Sequence, residues 1–175
     1  MFPWRIAKEW VNVRFKSIAL VLILIAAGSA AHAHSTATCV VKDRMDAMVS
    51  IGKATKSIVA MMRGKQGYDP ERLTAAANRI LLHGGESLLE KFPEGSLDPP
   101  SEALPEIWED WVTFKTLVEE MRREALLLKT VAPNGSEGFG ETVSYSDDPA
   151  QPAGPVATRL VKTCKNCHEQ FRQEE

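Results

Sequence analysis

Three side chains near the C-terminus have the types and the spacing to do chemistry: Cys164, Cys167 and, directly after it, His168. In Cys164-Lys165-Asn166-Cys167-His168 two thiols stand one helical turn apart and an imidazole follows. Thiols so placed can add to two neighbouring vinyl groups of one haem, and the adjacent imidazole then reaches the iron. Two other chemistries use paired cysteines. A thioredoxin-like redox pair needs a βαβ context, and no β-alternating run occurs in the sequence. A zinc site needs further ligands; the soft side chains left outside the N-terminal segment are Cys39, His83 and His34. The motif therefore predicts one covalent haem c with its iron, a haem-free metal or redox-binding bundle being the alternative from another class.

A haem needs a scaffold, and the rest of the chain is patterned as helix. Val41, Met45, Met48, Ile51, Thr55, Ile58, Val59 and Met62 recur at three- and four-residue steps, predicting an amphipathic helix from about Val40 to Arg63 that Gly64 and Gly67 end. Asp69 and Pro70 are an N-cap and a first-turn proline, and Leu73, Ala76, Ala77, Ile80, Leu81, Leu88 and Leu89 carry a second stripe to Phe92-Pro93. Gly84-Gly85 interrupts that stripe and signals a kink or a close backbone approach. Pro105 opens a third helix, whose inner face runs from Ile107, Trp108, Trp111 and Phe114 to Leu128; Pro133-Asn134-Gly135 closes it. A polar, exposed loop follows from Gly135 to Gly154. The last helix, from about Pro155 to Arg172, has Val156, Leu160, Cys164, Cys167, His168 and Phe171 facing inward. Four amphipathic helices with short connections specify an all-α, antiparallel four-helix bundle, and cofactors in such bundles sit between facing helices.

The N-terminus reads as a separate element. Arg5, Lys8, Arg14 and Lys16 lead into an apolar run from Ile18 to Ala27, and small residues end in Ala31-His32-Ala33. This order is that of a secretory signal with an A-x-A cleavage site, so residues 1–33 are expected to be removed and 34–175 to form the four-helix-bundle, haem-carrying domain. The run is too short to span a bilayer, and no membrane span is expected in the mature form. The chain carries 21 Lys+Arg against 23 Asp+Glu; losing four basic groups and one acidic group with the signal takes the formal charge from −2 to −5. An acidic chain without a basic cluster is not built to hold nucleic acid through phosphates.

On these motifs the chain resembles the cytochrome c′ family, in its low-spin c-556-type branch. The resemblance is carried by Cys164 to Arg172, reading CKNCHEQFR, by Arg44-x-x-x-Met48-x-x-Ile51-Gly52 in the first helix, by the turn from Gly64 to Pro70 and by Pro105-x-Ile107-Trp108. It implies an exported, periplasmic bundle with haem between the first and last helices and His168 as the proximal iron ligand. It further implies Met48 as the distal ligand, where high-spin relatives place a non-ligating side chain and bind small gases. Met45, one turn earlier, is the rival, and methionines of an apolar stripe otherwise fill core gaps. Gly52 is expected to allow close packing beside Met48.

The expected function is single-electron carriage by Fe(II)/Fe(III) cycling of a His/Met-ligated haem, without enzymatic chemistry. The alternative is a five-coordinate protein that binds nitric oxide or carbon monoxide. Redox proteins are the expected partners, and a homodimer is compatible with the pattern. Arg44 suits a haem propionate or is an exposed arginine at a helix end. His83 reads as a surface or interface residue rather than a ligand, and Glu119, Glu120, Arg122, Arg123 and Glu124 as one solvated helix face.

Overall fold

Each long helix is built around the stripe its sequence carries, and the described residues, 39–141 and 145–173 of a computed structural model, assemble as a four-helix bundle. The signal segment expected over residues 1–33 lies outside them. Helix α1 covers residues 39–62. Helix α2 covers Pro70–His83, capped by the Asp69 carboxylate, which accepts from the backbone of Glu71 and Arg72. Two single-turn helices follow, α3 (Glu86–Leu89) and α4 (Glu106–Glu109). Helix α5 runs over Trp111–Val131 and ends in a 3-10 turn to Asn134; helix α6 runs over Ala153–Phe171.

The helices alternate in direction. Tyr68 before α2 donates its hydroxyl to the Ala132 carbonyl after α5 at 2.5 Å. Ala153 at the start of α6 donates to Gly135 just past α5. Arg44 near the start of α1 reaches Ser96 beyond α3. Between them lies one core, in which Ile58, Leu73, Ile80, Phe114, Leu128 and Leu160 are almost wholly enclosed. Among the described residues no helix is long and apolar enough to cross a membrane.

The second and third helical stretches are each broken where the stripe alone predicts continuity. At Gly84 the chain turns extended, and Gly85 takes φ +61°, a left-handed backbone that a side chain disfavours. Both expectations for the pair hold. The helix breaks there, and the side chains of Met121 and Arg122 occupy the space a Cβ would need. The other break falls at Asp110, whose carboxylate caps α5 by accepting from Thr113. A polar cap inside an apolar stripe outweighs periodicity because it satisfies a backbone donor at a helix start.

The stripe of α1 is also rotated from its expected position. Val41, Arg44, Ala47, Ile51, Ala54, Ile58 and Met61 form its buried face; Met45 is 40% exposed and Val59 only partly covered. The loop after α5 is exposed along much of its length but tied down: Asn134 holds the carbonyls of Pro149 and Gln151, and Gly154 abuts the backbone of Ser136, Glu137 and Phe139.

Candidate haem site

Helix α6 places Cys164 and Cys167 one turn apart, both half-buried against the core and both free thiols. Burial pushes each thiol up to about 11, with the neighbouring Cys164 adding to the effect at Cys167. Thiols so raised stay protonated at neutral pH, which is the opposite of the depressed value a redox-active pair relies on. Among the described residues no three His, Cys, Asp or Glu side chains gather in a way that could hold a metal ion, so a zinc site finds no further ligands there.

His168 does not point into the core as its stripe position predicts; it stands at the exposed rim. The α6 stripe rotates past it, and the buried position of the last turn belongs to Phe171. Partial shielding of the ring lowers the His168 pKa first, the Arg172 charge lowers it further, and Glu102 opposes both. A neutral imidazole is the form that ligates a metal.

Across the bundle, Met48 on α1 is partly buried and packs against the core that also receives Cys164 and Cys167. Met45, one turn earlier, is 40% exposed and does not fill core space. Met61 and Met62 are ordinary core residues. Gly52, one turn after Met48, is not closely packed as expected: nothing lies within 4 Å of where its Cβ would be.

Arg44 is 4% exposed, which overturns its reading as an exposed helix-end residue. Its Nη2 donates to the Ser96 carbonyl at 2.5 Å and its guanidinium lies 4.6 Å from the centre of the Phe92 ring. Desolvation lowers its pKa, and no carboxylate among the described residues pairs with it. Ser96 and Phe92 escape sequence reasoning because they lie in a proline- and glycine-containing turn without periodicity. The charged face of α5 also differs from expectation: Glu124 is 3% exposed and accepts from Arg159 Nε at 3.1 Å. His83 is partly exposed, and Cys39 is exposed.

A thiol pair, an adjacent imidazole, a thioether on the facing helix and a buried cation without a carboxylate fit the donor set of a covalent haem. Residues 39–172 match the family model described as Cytochrome C′. The chain belongs to the cytochrome c′ family. Proteins of this family carry one covalent haem c with its iron. Curated relatives include a cytochrome c-556 of Agrobacterium tumefaciens (strain B2A), 25% identical and aligned over 75% of this chain and 95% of that protein. A cytochrome c′ of Halomonas halodenitrificans is 29% identical over 75% of this chain and 93% of its own length. The fold is that of solved cytochromes c′. The Shewanella frigidimarina protein superposes with a TM-score of 0.64 at 21% identity, covering 79% of this chain and 97% of its own. The Rhodopseudomonas palustris protein gives 0.62 at 23% identity, covering 78% and 97%.

Proposed function

We propose that this chain is a periplasmic, single-haem electron carrier in which Cys164 and Cys167 hold the cofactor, His168 binds one face of the iron and Met48 the other. The observation that carries the reading is that Met48 and the two cysteines, from the first and last helices, pack on one core while Met45 faces outward. When bound, haem supplies one-electron exchange between ferrous and ferric iron. The residues of the chain set its conditions. The half-buried cysteines fix the orientation, His168 offers a neutral nitrogen, and the soft Met48 thioether favours the ferrous state. Arg44, buried and without a carboxylate partner among the described residues, is suited to a haem propionate. A redox protein is then the partner, and export through residues 1–33 the route.

A second reading has at least equal support from the comparisons. Solved structures of the same fold include cytochromes c′, one of them a nitric oxide complex of an Alcaligenes xylosoxidans variant. In that reading Met48 covers an open iron position without binding it, and the protein takes up nitric oxide or carbon monoxide. Self-association belongs to either reading; one similar cytochrome c′ is described by its ligand-controlled dimer dissociation.

The absorption spectrum of the reduced, haem-loaded protein separates the two. Sharp low-spin bands that Met48→Ala converts to high spin, with new carbon monoxide binding, support electron carriage. High-spin bands in the unaltered protein sink the His/Met reading and leave gas binding. Met45→Ala should leave the spectrum unchanged and stability within about 0.5 kcal/mol, as an exposed substitution does.

A further inference from the structure

The C-terminal turn of α6 is clasped by a segment far from it in sequence. Leu104 donates its backbone N–H to the Phe171 carbonyl at 3.0 Å, and Gln173 donates to the Glu102 carbonyl at 2.8 Å. These two bonds make Ala103 and Arg172 an isolated antiparallel bridge. The side chains add a third link, Arg172 Nε to Glu102 Oε2 at 2.6 Å. Inside this clasp the Arg172 backbone N–H caps the His168 carbonyl at 3.2 Å. Ile107, three residues past Leu104 and 1% exposed, anchors the segment in the core.

A surface ion pair contributes little to stability, and this one is exposed on both sides. Its position gives it another use. Arg172 caps the carbonyl of His168 with its backbone, and the ion pair to Glu102 keeps both opposite charges at the turn that carries the imidazole. A cation beside an iron ligand disfavours the ferric state and an anion favours it, so the pair balances the field at that ligand.

We propose that Glu102 is a positioning residue for the haem iron. It holds Arg172 in a fixed place beside His168 and offsets its charge there, and so sets the reduction potential from a loop outside the haem-attachment motif. The proposal rests on His168 being an iron ligand. Glu102→Gln suits the test because the amide oxygen can still accept from Arg172 while the negative charge is lost.

In the haem-loaded protein, Glu102→Gln should raise the midpoint potential and Arg172→Gln should lower it. The double variant should fall between them, and both shifts should shrink as ionic strength rises, since exposed charges are screened. Glu102→Asp should move the potential less than Glu102→Gln. Amide exchange at Leu104 and Gln173, the two donors of the clasp, should stay slow in Glu102→Gln, which separates charge from loss of the clasp. A potential unmoved by Glu102→Gln with the bands of ligated haem intact overturns the proposal alone. A purified chain without haem, or one whose spectrum His168→Ala leaves unchanged, overturns both the proposal and the reading beneath it.

Discussion

The guanidinium of Arg44 lies 4.6 Å from the centre of the Phe92 ring, buried to 4% exposure, with Ser96 as its hydrogen-bond partner. An aromatic face and a serine are neutral company for a buried cation. Such a charge normally has an anion beside it, because removing it from water costs several kcal/mol. Arg44→Gln should therefore lower the midpoint potential of the haem-loaded protein, since a cation near the iron disfavours the ferric state. Loss of its charged hydrogen bonds should destabilise the fold by about 1–3 kcal/mol. Spectroelectrochemical titration checks the first effect, and an unchanged potential separates Arg44 from the cofactor.

The cysteine pair makes a prediction about attachment. Haem should stay with the polypeptide through acidified acetone and through a denaturing gel, because a thioether is not broken by unfolding. Cys164→Ser combined with Cys167→Ser should release it under the same treatment. Complete extraction from the unaltered protein, matured where cytochromes c are assembled, dismisses covalent attachment.

Glu124 should leave a signature in the pH dependence of stability. Burial raises its pKa, outweighing the lowering by Arg159. A carboxyl raised on folding contributes stability that is fully present below its unfolded value, about 4.3, and is lost as pH rises through the folded value. The guanidinium midpoint should thus carry a downward component above about pH 4.5 that Glu124→Gln removes. Arg159→Ala, which strands the carboxyl, should cost about 3–5 kcal/mol near neutrality. Identical pH profiles for the unaltered protein and Glu124→Gln would contradict this account.

Gly154 is the tightest glycine in the bundle by what surrounds it. A Cβ there would meet the backbone of Ser136, Glu137 and Phe139 rather than the end of a flexible side chain. Gly154→Ala should cost about 1–3 kcal/mol, in line with overpacking, and should speed proteolysis between residues 135 and 141. A variant of unchanged stability and unchanged cleavage shows that the loop yields without cost.

Much of this was legible in the sequence because it is local. Cys164, Cys167 and His168 lie within one turn and a residue, and the four stripes repeat at helical spacing, so the bundle and the motif could be read directly. The two breaks were less visible, since Asp110 acts through a single hydrogen bond to Thr113 inside an apolar run. The orientation of Met45 and Glu124 was not legible at all. Each sits a residue or so from the centre of its stripe, and its burial depends on what the facing helix presents. Glu124 is drawn in by Arg159 on α6, a partner that nothing on α5 announces. Ser96 and Glu102 meet their arginines only after the chain has crossed the bundle.

Phe114 sits 4.8 Å from Phe92 and 5.4 Å from Phe171, edge to face with both. Phe92 in turn carries Arg44 of the first helix, while Phe171 belongs to the last turn of the last one. Arg44 and Phe171 stand 127 residues apart in sequence, so this stack ties the first helix to the last. Contacts of such long sequence separation form late and slow the final step of assembly. The end of the bundle where α1 begins and α6 finishes should therefore be the last to close, and a variant lacking the Phe171 ring should leave one edge of Phe114 uncovered.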